Sequence, residues 1–183
     1  MGQGSAWLQT FTGKQFYPLE PRIEDIDIMD IAHSLSLQCR FAGHINEFYS
    51  VAQHSVLVSI ECPPKDALWG LLHDASEAYL VDVPRPLKHH PSFKAYREAE
   101  DKLMAAICDK FGMEAVMPFY VRHADNVLLA TEKRDLMGQE PAPWSPLPEP
   151  CQERIKAVMP DEAKRLFLER FYKLNTGKVG DAP

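Results

Sequence analysis

Apolar residues recur along most of the chain at the three- and four-residue spacing of an amphipathic helix. This spacing predicts helices within one bundle. Their approximate ranges are residues 30–39, 50–62, 66–80, 92–111, 121–137 and 161–174. The second of these is rich in β-branched residues, so a strand is its alternative. Asp30, Ser50 and Asp66 stand at the starts of the first three as candidate N-caps.

The two ends of the chain and one internal segment follow other patterns. The stretch WLQTFTGKQFYPL turns at Gly13-Lys14 and predicts a short β-hairpin within residues 1–20. Residues 138–160 contain PAPWSPLPEP, whose prolines predict an extended loop. The polar tail at 175–183 is expected to fray. We therefore expect one all-α domain over residues 1–183, with a short N-terminal β-hairpin.

Composition narrows the class of partner and the compartment. The formal net charge is -6, which argues against a nucleic-acid polymer because phosphate backbones attract basic surfaces. The cysteines are scattered without a CxxC pair, which favours free thiols in a reducing compartment. No apolar stretch approaches the roughly 20 residues that cross a bilayer, and no secretory signal is evident. These features predict a cytoplasmic protein without a membrane partner.

Four ionisable residues lie within otherwise apolar predicted helices. They are His54, the pair His73 and Asp74, and Asp125. Buried ionisable groups are costly unless they are paired or bind a metal. Taken alone, the His73–Asp74 pair is more simply a hydrogen-bonded core pair. Two imidazoles and two carboxylates together suit one divalent ion such as Co, Mn, Zn, Fe or Mg.

The order of these residues resembles that of a known family. The segments AQHSVLVS, LLHDASEAYLVDVPRPLK and RHADNVLLATEKRDL are similar to those of the HD-domain metal-dependent phosphohydrolases. Within that group the chain resembles the bacterial and prophage HD-domain 5'-deoxynucleotidases and the phage dATP triphosphohydrolases. The resemblance runs from about Thr10 to Leu136. It implies an HD-type helical bundle, a homodimer, and a single metal ion held by His54, His73, Asp74 and Asp125.

The same resemblance assigns roles to three acidic and basic residues. Glu77 matches the catalytic carboxylate, and on a helix it lies one turn beyond His73 and Asp74. Asp82 matches a pocket carboxylate that contacts the sugar, although a turn-capping role before Pro84 is its alternative. Arg40 matches an arginine beside the substrate phosphate.

Three further residues are candidates for substrate binding. Phe41 stands where the better-known monophosphatases of the family carry a tryptophan. His44 follows Gly43 in RFAGH, where a loop could face the phosphate. Lys88 could neutralise phosphoryl charge beside Arg40, with an ordinary surface cation as its alternative.

These residues predict an enzyme that acts on a small nucleotide. The leading hypothesis is a metal-dependent phosphohydrolase that releases phosphate from deoxynucleoside 5'-monophosphates. An alternative is a dNTP triphosphohydrolase, of the dATP type, that releases triphosphate. An alternative of another class is a nucleotide-sensing or structural helical module in which the metal only staples the bundle.

Overall fold

The structure, a computed structural model, describes residues 6–175 and is all-α apart from one two-stranded sheet. This confirms the predicted fold class. The α-helices are α1 (Ile28–Leu37), α2 (Val51–Glu61), α3 (Ala67–Leu72), α4 (Glu77–Leu80), α5 (Arg85–Lys88), α6 (Lys94–Phe111), α7 (Phe119–Leu136) and α8 (Pro160–Asn175). Residues 1–5 of the predicted hairpin segment and 176–183 of the predicted tail lie outside the described residues.

The predicted N-terminal hairpin is present. Strand β1 (Leu8–Gln9) pairs antiparallel with β2 (Gln15–Phe16), and Gly13 lies in the turn with φ 83°. The Phe16 side chain is fully buried and stacks on the Tyr79 ring at a centroid distance of 4.0 Å. This contact fixes the hairpin against the main core.

The first helix begins earlier than predicted, and its N-cap is Asp27 rather than Asp30. The Asp27 carboxylate accepts a hydrogen bond from the Met29 N–H at 3.0 Å. Asp30 lies in the first turn of α1 and instead accepts bonds from the backbone N–H and the hydroxyl of Thr12. The hydrophobic pattern alone could not separate two aspartates that stand three residues apart.

The helix predicted over 66–80 is broken in the structure. Helix α3 ends at Leu72, residues 73–76 form a turn, and α4 begins at Glu77. Asp66 makes no side-chain cap bond. In the turn the Glu77 N–H donates to the Asp74 carbonyl at 3.0 Å, a three-residue hydrogen bond. Because such bonds align side chains three residues apart, the turn places Asp74 and Glu77 on one edge.

Helix α2 lies at the centre of the bundle and packs against α1, α3, α7 and α8. Helix α3 approaches it closely at Gly70, where a Cβ atom would lie 2.8 Å from Cys62 Sγ and 3.1 Å from Ser59 Cα. Only glycine fits such a contact without a shift of its neighbours. The close approach brings the end of α3, and therefore His73, against α2.

Residues 137–159 form neither a helix nor a strand among the described residues, which agrees with the loop predicted over 138–160 except at Pro160, where α8 begins. Gln53 of α2 holds the end of this segment, because its side chain bonds Lys156 O at 2.8 Å and Val158 N at 3.0 Å. The described residues contain no helix that is both long and apolar enough to span a membrane.

Candidate metal centre

The structure brings together the four residues that the sequence predicts as metal ligands. His54 comes from α2, the pair His73 and Asp74 from the turn after α3, and Asp125 from α7. His54 Nε2 lies 3.3 Å from His73 Nε2 and 3.3 Å from Asp125 Oδ1. His73 Nε2 lies 3.2 Å from Asp74 Oδ2. The group of His54, His73 and Asp74 could hold a metal ion.

The distances between these atoms fit their binding to one shared metal ion. Nitrogen and oxygen ligands at about 2.0–2.2 Å from a divalent ion lie roughly 3.0–3.5 Å from one another. The three closest pairs measure 3.2 Å and twice 3.3 Å. Asp125 Oδ1 also lies 4.0 Å from His73 Nε2. The role of Asp125 as the fourth ligand stays a prediction.

The hydrogen bonds made by Nδ1 of the two imidazole rings determine whether Nε2 of each ring has a lone pair for a metal. His73 Nδ1 donates to the Gly70 carbonyl at 2.8 Å, and His54 Nδ1 donates to Glu132 Oε1 at 2.6 Å. Because both partners are acceptors, Nδ1 carries the hydrogen in each ring. In the neutral rings the two Nε2 lone pairs therefore face each other beside two carboxylates. That arrangement favours a cation between them.

The charges of the cluster favour the ionised form of its members, because they raise the pKa of a histidine and lower the pKa of a carboxyl. Burial alone lowers the pKa of His73, but the charge and hydrogen bond of Asp74 outweigh it and raise this pKa to about 9. Burial raises the pKa of Asp125, whereas the hydrogen bond and charge of His54 bring it down to about 2. The carboxylates therefore stay ionised and favour positive charge at the centre of the cluster.

Glu132 is a site residue that the sequence reasoning missed. Its side chain is fully buried and accepts bonds from His54 Nδ1 and, at 3.0 Å, from Arg40 Nη2. Burial raises its pKa, but the charges of Arg40 and His54 outweigh that effect and lower it. A clue was present in the sequence, because Glu132 follows Asp125 by two helical turns within a buried apolar run.

Glu77 lies at the edge of the cluster as a buried carboxyl. Its side chain is 4 % exposed, Oε1 accepts from Lys88 Nζ at 3.0 Å, and Oε2 has no hydrogen-bond partner among the described residues. Burial, followed by the charges of Asp74 and Asp82, raises its pKa well above the ordinary value, although Lys88 opposes this. Burial therefore favours the protonated form of this carboxyl, whereas the Lys88 ammonium favours the ionised form.

Lys88 and Asp82 lie beside Glu77. Lys88 Nζ is held between two glutamates, at 3.0 Å from Glu77 Oε1 and 2.7 Å from Glu100 Oε1. Burial raises the pKa of Asp82, Arg40 lowers it, and Asp74 raises it further, with a net increase. Asp82 therefore lies within electrostatic range of the cluster, whereas Lys88 is already paired with the buried Glu77 and the partly buried Glu100.

The predicted substrate residues after α1 occupy a left-handed turn. Phe41 and Ala42 have φ values of 55° and 51°, which cost about 1–2 kcal/mol per non-glycine residue, and Gly43 follows with φ 80°. The turn lays the Phe41 ring against the Arg40 guanidinium, 5.1 Å from the ring centroid. His44 is exposed, and within residues 6–175 its side chain makes no hydrogen bond or ion pair. The structure does not bring His44 into the cluster.

Arg85 is a second site residue that the sequence reasoning missed. It begins the one-turn helix α5, which also carries Lys88. Its guanidinium lies 3.3 Å from Asp125 Oδ2 and 3.5 Å from Asn126 Oδ1, and its side chain is 55 % exposed. It is therefore a cation at the outer edge of the cluster, held only by long contacts.

Fold and site together define an all-α protein with a buried histidine–carboxylate cluster that could hold a metal ion. No family model matches the chain. It is similar to "Uncharacterized protein YfdR" of Escherichia coli K12, at 43% identity over 173 residues, 93% of this chain and 96% of that protein. It is also similar to "Uncharacterized protein RCAP_rcc00048" of Rhodobacter capsulatus, at 33% identity over 188 residues, 92% and 95% of the two chains. The chain belongs to the family of these two proteins.

Proposed function

We propose that the protein is a metal-dependent nucleotide phosphohydrolase that releases phosphate from deoxynucleoside 5'-monophosphates. One observation carries the proposal: two imidazole nitrogens and carboxylate oxygens converge beside Glu77, a buried carboxyl that has a free oxygen among the described residues. The sequence resemblance to the HD-domain phosphohydrolases supports the same function. The free cysteine thiols support a reducing compartment such as the cytoplasm.

His54, His73, Asp74 and Asp125 would hold one divalent ion. Their mixed nitrogen and oxygen donors suit Mn, Co, Fe, Zn or Mg. When bound, such an ion would lower the pKa of a coordinated water towards about 7 and polarise a phosphoryl oxygen.

The chain's own residues supply proton transfer and charge. The ionised Glu77 carboxylate, held by Lys88 at Oε1, accepts the proton of the attacking water at Oε2, and its raised pKa makes it a stronger base than an exposed glutamate. Arg40 neutralises charge on the phosphoryl oxygens, since Glu132 holds one arm of its guanidinium and the other lies a looser 3.7 Å from Asp74. Asp82, whose carboxyl interacts electrostatically with Arg40 and Asp74, would contact the sugar.

A panel of nucleoside mono- and triphosphates with several divalent metals tests the function, with products identified by mass. We expect deoxynucleoside and orthophosphate from the monophosphates. Glu77→Gln should lower kcat by about 10²- to 10⁴-fold and leave the stabilisation by added metal intact.

Glu100→Gln is the matched control, because Glu100 shares Lys88 with Glu77 but has no proton-transfer role here. We expect its kcat to fall by less than about 10-fold. Full activity of Glu77→Gln would contradict the mechanism. A wild-type protein that hydrolyses no nucleotide with any metal would contradict the function.

The exposed guanidinium of Arg85 favours a second candidate, the dNTP triphosphohydrolase. A triphosphate is longer and more negative than a monophosphate, and Arg85 is the cation placed at the outer edge of the cluster. Inorganic triphosphate as the product would select this candidate. A metal-loaded protein that is inert yet stabilised by one nucleotide would select the sensing module instead.

A further inference from the structure

The Gln38 side chain makes hydrogen bonds to the backbone of the segment that carries both Glu77 and Asp82. Its Nε2 donates to the Glu77 carbonyl at 2.9 Å, and its Oε1 accepts from the Asp82 N–H at 2.9 Å. The amide nitrogen therefore bonds the backbone at the start of the short helix α4, and the amide oxygen bonds the backbone just after its end.

These hydrogen bonds replace the next turn of α4. If the helix continued, the Asp82 N–H would donate to the Ala78 carbonyl. That carbonyl instead accepts from Ser34 Oγ at 2.7 Å, and Ser34 Oγ in turn accepts from Gln38 Nε2 at 3.1 Å. Ser34 and Gln38 therefore end the helix together.

The chain between the two bonds has an unusual backbone conformation. Val81 has φ 65° and ψ 154°, which β-branched residues rarely adopt. Its side chain is 60% exposed, so burial does not hold it there. The bonds from Gln38 and Ser34 on either side hold the turn, together with a bond from the Tyr96 hydroxyl to the Val81 carbonyl at 2.7 Å. The turn sets the direction in which Asp82 leaves α4.

The backbone of Gln38 is itself fixed to the rest of the site. Its carbonyl accepts from the Val51 N–H at 3.0 Å, at the start of the helix that carries His54. Two residues later the Arg40 N–H donates to the Tyr49 carbonyl at 3.0 Å. Gln38 thus links α2 and Arg40 on one side with Glu77 and Asp82 on the other.

We propose that Gln38 is a positioning residue that fixes Glu77 and Asp82 relative to the metal ligands and Arg40. The positional part follows from the hydrogen bonds alone. The catalytic consequence, that turnover depends on this alignment, rests on the proposed function.

The test replaces Gln38 by methionine, which keeps the length of the side chain and removes its hydrogen bonds. Gln53→Met is a matched control, because Gln53 uses its amide in the same way on the backbone of Lys156 and Val158, away from Glu77. Three quantities are measured for each variant: exchange of the Asp82 amide hydrogen, affinity for Mn²⁺, and kcat/KM.

We expect the Asp82 amide of Gln38→Met to exchange at least about 10-fold faster than in the wild type. The affinity for Mn²⁺ should stay within about 3-fold, because no metal ligand is touched, while kcat/KM falls about 10- to 100-fold. Gln53→Met should leave both the exchange of Asp82 and kcat/KM within about 3-fold. Ser34→Ala is a milder second variant, with intermediate effects expected in case Gln38→Met does not fold.

Unchanged exchange at Asp82 overturns the positional role. Faster exchange with unchanged kcat/KM overturns the catalytic consequence, as does an equal loss of kcat/KM in Gln53→Met. If the wild type turns over no nucleotide, the proposed function fails while the exchange measurement still decides the positional role.

Discussion

Among single residues, Glu132 links the two halves of the site. One oxygen of its carboxylate orients a histidine of the metal cluster, and the other holds the arginine proposed to meet phosphate. A buried carboxylate between an imidazole and a guanidinium is stable only while both partners remain, because each compensates for its desolvation. The distance between His54 and Arg40 is thereby set by one side chain.

Glu132→Gln should separate these two contacts. An amide has one acceptor oxygen, so it can accept from either His54 or Arg40, and its NH₂ group then faces the other donor. We expect affinity for Mn²⁺ or Co²⁺ to fall about 10- to 100-fold, measured by calorimetric titration. Glu98→Gln is the control, since Glu98 is exposed and pairs with Lys94 alone in the described structure. Equal affinities for Glu132→Gln and the wild type would show that His54 needs no buried acceptor.

The sequence predicts the residues of the cluster better than their supports. His54, His73, Asp74 and Asp125 are ionisable groups in apolar helices, and the family resemblance picks them out as one set. Gln38 is an ordinary polar residue at the end of a helix, and its contacts with Glu77 and Asp82 cross about forty positions of sequence. A contact between residues so far apart in sequence cannot be predicted from local hydrophobic periodicity.

At the level of helices, the contact of α3 with α2 brings the two histidines together. Gly70 lies one turn before His73, and its missing side chain lets α3 approach Ser59 and Cys62. In the sequence, Gly70 is an isolated glycine within a helical pattern of apolar residues. Its role depends on the partner helix, which periodicity does not identify.

Gly70→Ala should destabilise the protein and disturb the cluster. The added methyl group meets the Cys62 sulfur and the Ser59 backbone, and overpacking of this kind costs about 1–3 kcal/mol. Urea unfolding measures the loss, and metal titration should show weaker binding because His73 moves with α3. Gly138→Ala is the control, since a Cβ there meets nothing within 4 Å. A Gly70→Ala protein as stable as Gly138→Ala would mean that α3 shifts freely.

The broken helix at residues 73–76 shows where helical periodicity ceases to be informative. Apolar spacing continues through this stretch, so it predicts one helix, and both α3 and α4 do bury that face. The three-residue hydrogen bonds of the turn change the backbone without changing which residues are apolar. The consequence for the site is the alignment of Asp74 with Glu77.

For the whole molecule, the cluster joins parts of the chain that are far apart in sequence. Its residues come from α2, from the turn between α3 and α4, and from α7. An ion held by all of them binds the folded state and not the unfolded chain, so its binding free energy adds to the free energy of unfolding.

Metal should therefore raise the stability of the entire fold. At a free metal concentration about 100 times Kd, we expect a gain of about 2.7 kcal/mol in the free energy of unfolding, reversed by a chelator. Thermal unfolding with and without Mn²⁺ measures the effect. Asp74→Asn should lose most of the gain, whereas the exposed Glu98→Gln should keep it. Identical melting curves with and without each metal tested would contradict the metal centre.

Helix α8 has a consequence for how the chain folds as it is synthesised. Phe167 and Phe171 of α8 are buried in the same core as Ile31 and Leu35 of α1. A ribosome delivers residues in order, so every proposed metal ligand leaves the exit tunnel before this core can close. Until α8 arrives, α1 and α2 expose the apolar surface that it will cover. During that interval the nascent chain presents a site for chaperones, and a chain released before α8 keeps that surface exposed.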